Sequence, residues 1–121
     1  MGWKLDSDRP IHVQLLELLK TGIVSGEYEP GSKIPSVREL AAEAGVNPNT
    51  MQRAFGELER LELIKTERTT GRFVTDDEKL IGFIRDDMAK GVLNDFVRDM
   101  KRLGFSNESI LAFVKAGLEE E

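Results

Sequence analysis

Between positions 36 and 72 the chain gathers side chains suited to one kind of chemistry, hydrogen bonding without bond making. Ser36, Arg38, Asn47, Asn49, Thr50, Gln52 and Arg53 come first, followed by Arg68, Thr69, Thr70 and Arg72 around Gly71. Amides and hydroxyls both donate and accept, and a guanidinium donates in a planar fork. Such groups read base edges in a major groove or hold phosphate oxygens. A helix face that only had to be solvated would more often carry Glu and Lys.

To act together these side chains need a rigid frame, and the sequence supplies one. A short helix is predicted from Ser36, with Pro35 ahead of it, to Gly45, a residue type that accepts the left-handed conformation past a helix end. Gly45-Val46-Asn47 is the turn. Asn47 can cap the next helix, and Pro48 suits its first position, where the missing N–H costs nothing. Along that helix Met51, Ala54, Phe55, Leu58 and Leu61 recur at spacings of three and four, forming a buried stripe. Asn49, Thr50, Gln52, Arg53, Gly56, Glu57 and Arg60 then face outward. Leu63 to Glu67 and Arg72 to Thr75 read as two strands around Arg68-Thr69-Thr70-Gly71. Arg at a hairpin tip can enter a minor groove or lie on the phosphate backbone, favoured by counterion release. Helix, turn, helix and hairpin in this order form a winged helix-turn-helix.

Residues 10 to 75 resemble the N-terminal domain of the GntR family of bacterial transcription regulators. The likeness begins with Pro10-Ile11 and Gln14-Leu15 and continues through Ile23-Val24-Ser25-Gly26 and Pro30 to Ala41. It ends in the turn, helix and hairpin just described. Val46 to Thr50, Gln52-Arg53-Ala54 and the short C-terminal part are similar to the YtrA-type subfamily, whose members carry only a small helical dimerisation region. The resemblance implies that Arg38 contacts DNA from the start of the second helix. It also implies contacts by Asn47, Asn49, Thr50 and Gln52 around the recognition helix, and by Arg68 through Gly71 at the wing tip. The chain departs from the family pattern in having Pro48 where Arg is common and Thr69 where Gly is common. Glu62 stands where a Gly usually ends the recognition helix, so that helix is expected to close differently, with an acid at the negative end of its dipole.

A further helix is predicted from Pro10 to Ser25, with Ser7 or Asp8 as its cap and Gly26 beyond its end. Ile11, Leu15, Leu16, Leu18, Leu19 and Ile23 give it a broad core face. His12 lies on it with no Cys and no second His in the chain, which leaves it no partners for a metal site. It is expected to be structural or superficial.

Asp76-Asp77-Glu78 opens the C-terminal part, followed by a long helix from Lys79 to Leu103 that Gly104 stops, with bends expected at Gly82 and Gly91. A last helix starts at Ser106. Apolar residues at helical spacing include Ile84, Met88, Leu93, Phe96, Val97, Met100 and Leu103, then Ile110, Leu111, Phe113, Val114 and Leu118. One helical hairpin cannot hide so much apolar surface, so a second copy of the chain is the expected cover. The dimer contact is assigned to Ile84, Met88, Leu93, Phe96, Val97, Met100, Leu103, Ile110, Phe113 and Val114. A small-molecule effector between these helices is the alternative, but no convergent polar groups mark a pocket for one.

The net charge is −5 over 121 residues, which is unexpected for a nucleic-acid partner. Residues 1 to 75 hold 10 Lys and Arg against 11 Asp and Glu, whereas residues 76 to 121 hold 7 against 11. The acid is concentrated away from the reading head. Arg38, Arg53, Arg68 and Arg72 are expected to share one surface, with Glu17, Glu27, Glu29, Glu43 and Glu59 elsewhere, since local field governs binding. No segment approaches the roughly 18 apolar residues of a membrane span, and no secretion signal opens the chain. The absence of cysteine suits a reducing cytoplasm. Met1 to Asp6, the junction at Asp76 to Glu78 and the acidic C-terminus are the expected soft spots.

The expectation is a mainly α fold with a small β-hairpin. Residues 1–75 form a winged helix-turn-helix DNA-binding domain, and residues 76–121 a helical dimerisation region. No catalytic or metal site and no cofactor is expected. The expected partners are a double-stranded DNA operator and a second copy of the chain, in the cytoplasm and away from any membrane. Repression is the expected mode. The alternative is a winged helix that binds protein without specific DNA binding.

Overall fold

The computed structural model describes residues 2–120 and divides into two compact units, Met1–Arg85 and Asp86–Glu121. In the first unit α1 runs Ile11–Val24, α2 Val37–Ala44 and α3 Pro48–Arg60. Strands β1 (Ile64–Glu67) and β2 (Gly71–Val74) follow, and α4 (Glu78–Arg102) begins within this unit. The architecture is the expected one, mainly helical with one antiparallel hairpin.

Leu15, Leu19 and Ile23 of α1, Leu40 and Ala41 of α2, and Met51, Ala54, Phe55 and Leu58 of α3 are buried and form the core with Ile34, Leu63, Ile64 and Val74. The predicted stripe on α3 is therefore in place, except that Leu61 is only half-buried because the helix ends there. The unit runs past the hairpin into the first two turns of α4, where Ile81 and Ile84 are buried.

Local sequence sets the helix ends. Ser36 caps α2 by accepting from the Glu39 N–H at 3.1 Å, while Glu39 Oε1 accepts from the Ser36 N–H at 3.3 Å, a reciprocal capping box. Asn47 Oδ1 accepts from the Asn49 N–H at 2.7 Å, and Pro48 follows it at the first position of α3. The start of α1 differs from expectation. Neither Ser7 nor Asp8 caps it; Pro10 stands at the cap position without a side-chain bond. Buried Gln14 instead bonds back to the incoming chain, accepting from the Asp6 N–H at 2.8 Å and donating to the Asp6 and Arg9 carbonyls at 2.7 and 2.9 Å. Trp3 Nε1 donates to Glu43 at 3.1 Å. Trp3 and Asp6 of the arm expected to be a soft spot are thus tied down, while Met1 lies outside the described residues.

Glu62 corrects another expectation. The recognition helix closes in the way a Gly would close it: Glu62 has φ 63°, its N–H donates to the Glu59 carbonyl at 2.9 Å, and the Leu63 N–H donates to the Leu58 carbonyl at 3.0 Å. This is a Schellman closure with the accompanying apolar contact positions, Leu63 and Leu58, both fully buried. Among the described residues Glu62 is the one non-glycine in left-handed backbone.

The hairpin pairs Ile64 with Val74, Lys65 with Phe73, Thr66 with Arg72 and Glu67 with Gly71. A third extended segment, not anticipated from the sequence, lies along β2. Lys33 bridges to Phe73, the Ile34 N–H donates to the Arg72 carbonyl at 3.0 Å, and the Val74 N–H donates to the Ser32 carbonyl at 2.8 Å. The wing is thereby anchored immediately ahead of α2.

In the second unit α4 continues through Gly91 to Arg102, and α5 runs Asn107–Glu119 with Ser106 as its cap. Neither Gly82 nor Gly91 interrupts α4. Gly104, at φ 96°, closes α4 with the Phe105 N–H donating to the Met100 carbonyl at 3.1 Å. Met100 and Ile110 are buried, and Phe105 meets Phe113 edge to face at 5.5 Å. No helix among the described residues is long and apolar enough to cross a membrane.

Candidate nucleic-acid interface

The polar residues that open α3 are held outward by the stripe beneath them. With Met51, Ala54 and Phe55 buried, helical spacing leaves Asn49, Gln52 and Arg53 exposed and Thr50 half-buried. The Asn47 oxygen is engaged as the cap, which leaves its NH₂ group to donate outward. Arg38 is exposed in the first turn of α2 and makes no ion pair among the described residues. Apart from half-buried Thr50, these polar heads are open to a ligand.

Arg68, Thr69 and Thr70 form the exposed tip of the hairpin. Gly71 begins the return strand at φ 111°, a conformation that L side chains rarely adopt, and an added Cβ would stand 2.8 Å from Lys33 Cε. Arg72 behaves differently from the other cations. It is half-buried, its Nε lies 3.2 Å from Glu59 Oε1, and its guanidinium carbon sits 5.4 Å from the centre of the Phe55 ring. Against the expectation that Glu59 lies away from the arginine surface, it is the partner of one of those arginines. The one-turn periodicity that places Phe55 inward also places Glu59 one turn on, on the side where β2 passes.

A cleft lined by Lys33, Ile34, Pro35, Ser36, Glu39, Gly71 and Arg72 brings the start of α2 beside the return strand of the wing. It unites Ser36, Gly71 and Arg72 from the predicted set. It adds Lys33, a cation that sequence reading missed because its strand-like segment is too short to show a period. His12, expected to be structural or superficial, places its Nε2 3.3 Å from Nη2 of Arg53. On the same face of α3 Arg60 bonds Glu57 at 2.7 and 3.0 Å. That hydrogen bond, aided by the charge of Arg60, holds the Glu57 carboxyl below the usual carboxylate range.

The arrangement offers donors, acceptors and cations on convex elements. No group of His, Cys, Asp and Glu among the described residues could hold a metal ion. Residues 12–74, just over half of the chain, match the family model described as bacterial regulatory proteins, gntR family. The chain belongs to the GntR family.

Similarity to a solved GntR family transcriptional regulator from Listeria monocytogenes extends this beyond the DNA-binding domain. The two are 44% identical with a TM-score of 0.86, covering 93% of this chain and 98% of that one. The chain is also 41% identical over 73 residues to the HTH-type transcriptional repressor YtrA of Bacillus subtilis, 60% of this chain and 56% of that protein. The YtrA-like assignment within the GntR family therefore stands. A third likeness is to AraR(DBD) solved in complex with operator ORX1, 29% identical with a TM-score of 0.53 over 62% of this chain and 90% of that one. The protein is a GntR-family transcription regulator with a winged-helix DNA-binding domain, a class of proteins that are not enzymes.

The residues assigned to a dimer contact divide into three groups. Ile84, Met100 and Ile110 are buried within their own units, and so do not form an outer face. Burial of Ile84 follows from the first turns of α4 belonging to the DNA-binding unit, and that of Met100 and Ile110 from the close helical corner at Gly104. Met88, Phe96 and Val97 are half-buried, while Leu93, Leu103, Phe113 and Val114 are exposed. Phe83, Val92, Leu111 and Leu118, which are not in that set, are each about 70% exposed.

Proposed function

We propose that this protein binds a specific pseudo-palindromic operator as a homodimer and represses transcription by occupying a promoter in the cytoplasm. The observation that carries the reading is the exposed row Asn49, Gln52 and Arg53, presented directly after a capped and proline-started helix end. Side chains on a fixed helix start can be held to base edges in the major groove. Arg38 and the Arg68 to Gly71 tip are assigned to backbone and wing contacts, which position the protein more than they specify sequence. The likeness to an AraR(DBD)–operator complex supports the same docking mode for this domain.

A second copy of the chain accounts for the apolar side chains of the tail. Val92, Leu103, Leu111 and Leu118 are 69–73% exposed, more apolar surface than a soluble monomer ordinarily leaves bare. Two reading heads related by a two-fold axis match half-sites about one helical turn, roughly 34 Å, apart or at another spacing set by the dimer. Any small-molecule effector would act by changing the separation of the heads.

Selection from a random DNA pool at two salt concentrations, with Gln52→Ala as control, tests this. Enrichment of a two-fold motif, altered or lost in the control, supports the reading. Absence of enrichment at either salt would defeat it and favour a protein-binding winged helix.

A further inference from the structure

Arg53 is not aimed by its own helix alone. Its guanidinium Nη2 lies 3.3 Å from Nε2 of His12, in the first turn of α1. The two side chains meet across a groove that Val13, Leu16, Gly56 and Glu57 also line. At Gly56 the groove has no side chain, and an added Cβ would meet nothing within 4 Å, so the space around the pair is open.

The chemistry of the contact is directional. A guanidinium only donates, so the contact is a hydrogen bond when the imidazole is neutral and Nε2 carries its lone pair. The two nearby carboxylates already have cationic partners. Glu57 is taken by Arg60 at 2.7 Å, and Glu17 by Arg9 at 3.4 Å. Arg53 has no carboxylate within ion-pair distance among the described residues, so its charge is not neutralised and remains available to an anion. An imidazole in that form restrains the guanidinium without cancelling its charge.

We infer that His12 is a positioning residue of the DNA-reading surface, holding Arg53 through Nε2 in the conformation that meets the operator. The inference rests on the DNA-binding reading given above. A long, flexible side chain that is already restrained loses less conformational freedom on binding, which raises affinity without any direct contact between the restraining group and the ligand. The first helix then serves both as core, through Leu15, Leu19 and Ile23, and as a guide for one side chain of the recognition helix.

The test uses the full chain and a duplex carrying the sequence enriched from the random pool, with affinity measured by fluorescence anisotropy at pH 8 and fixed salt. Variants are His12→Leu, His12→Gln, Arg53→Ala and the double His12→Leu/Arg53→Ala, each checked by urea unfolding. Gln places an amide oxygen near the position of Nε2. His12→Leu is expected to weaken binding about fivefold, His12→Gln to stay within about twofold of wild type, and the Leu substitution to have no effect once Arg53 is Ala. Should His12→Leu fail to fold, His12→Asn, whose amide falls short of Arg53, carries the same expectation. Wild-type affinity in His12→Leu, or an equal loss with Arg53 already removed, overturns the inference and leaves the DNA-binding reading intact. A wild-type protein that enriches and binds no DNA brings down both.

Discussion

Arg72 of the wing bonds Glu59 of the recognition helix at 3.2 Å, with its guanidinium over the buried ring of Phe55. One arginine thereby fastens the hairpin to the helix it must accompany onto DNA. The side chains of the pair are 26% and 37% exposed, so the ionic part is screened and modest. Stacking on Phe55 adds to it. Arg72→Ala should destabilise the protein by about 1 kcal/mol, combining a partly exposed ion pair with a cation–π contact. Arg72→Lys should recover little of this, because an ammonium cannot both stack and present a planar fork. Urea unfolding midpoints check both, and an unchanged midpoint in Arg72→Ala would refute the fastening role.

Glu62 occupies left-handed backbone that ordinarily belongs to glycine. Removing its Cβ relieves strain, so Glu62→Gly should stabilise the fold by about 1 kcal/mol despite the added freedom of the unfolded chain. The reverse experiment at Gly45, which closes α2 at φ 71°, should cost a similar amount as Gly45→Ala. Thermal and urea unfolding of the two variants should move in opposite directions.

Arg38 is exposed at the start of α2 and is held by no ion pair among the described residues. Its removal should therefore leave the fold unaffected. Arg38→Ala is expected to weaken operator binding by about 1–3 kcal/mol with an unchanged unfolding midpoint. Anisotropy titrations at two salt concentrations measure the loss, and a shallower salt dependence would mark a phosphate contact. Normal operator binding by Arg38→Ala would remove this residue from the interface.

Leu111 is 73% exposed in the single chain. A substitution at so open a site should alter monomer stability by no more than about 0.5 kcal/mol. In a dimer that covers it, Leu111→Asp buries an unpaired carboxylate and should shift the protein to monomer in sedimentation equilibrium, with operator affinity falling as a consequence. Phe96→Asp, at a half-buried position, should do the same with an added loss of fold stability. A Leu111→Asp protein that sediments as wild type would place the dimer contact elsewhere.

Much of the fold could be read from the sequence because its determinants are local. Ser36 and Glu39, Asn47 and Pro48, and the glycines at 45 and 104 act within a few residues of themselves, through caps and backbone conformations that each residue type favours or resists. The inward stripe of α3 and the outward Asn49, Gln52 and Arg53 follow from helical period alone. By itself, then, the sequence determined the helix-turn-helix, the hairpin, the identity of the exposed polar face of α3 and the surplus of apolar surface in the tail. Tertiary structure decided what lies between distant positions. Burial drew Gln14 back onto the Asp6 and Arg9 carbonyls, laid Lys33 along β2, and set Arg72 against Glu59 and His12 against Arg53. These pairs stand 13 to 41 positions apart in the last two cases, and no periodicity encodes a meeting across different elements. It also decided which apolar residues of the tail are consumed internally, because Ile84, Met100 and Ile110 share the helical spacing of exposed Leu103 and Leu111. Helical period tells which residues share a face, and only packing tells which faces are covered.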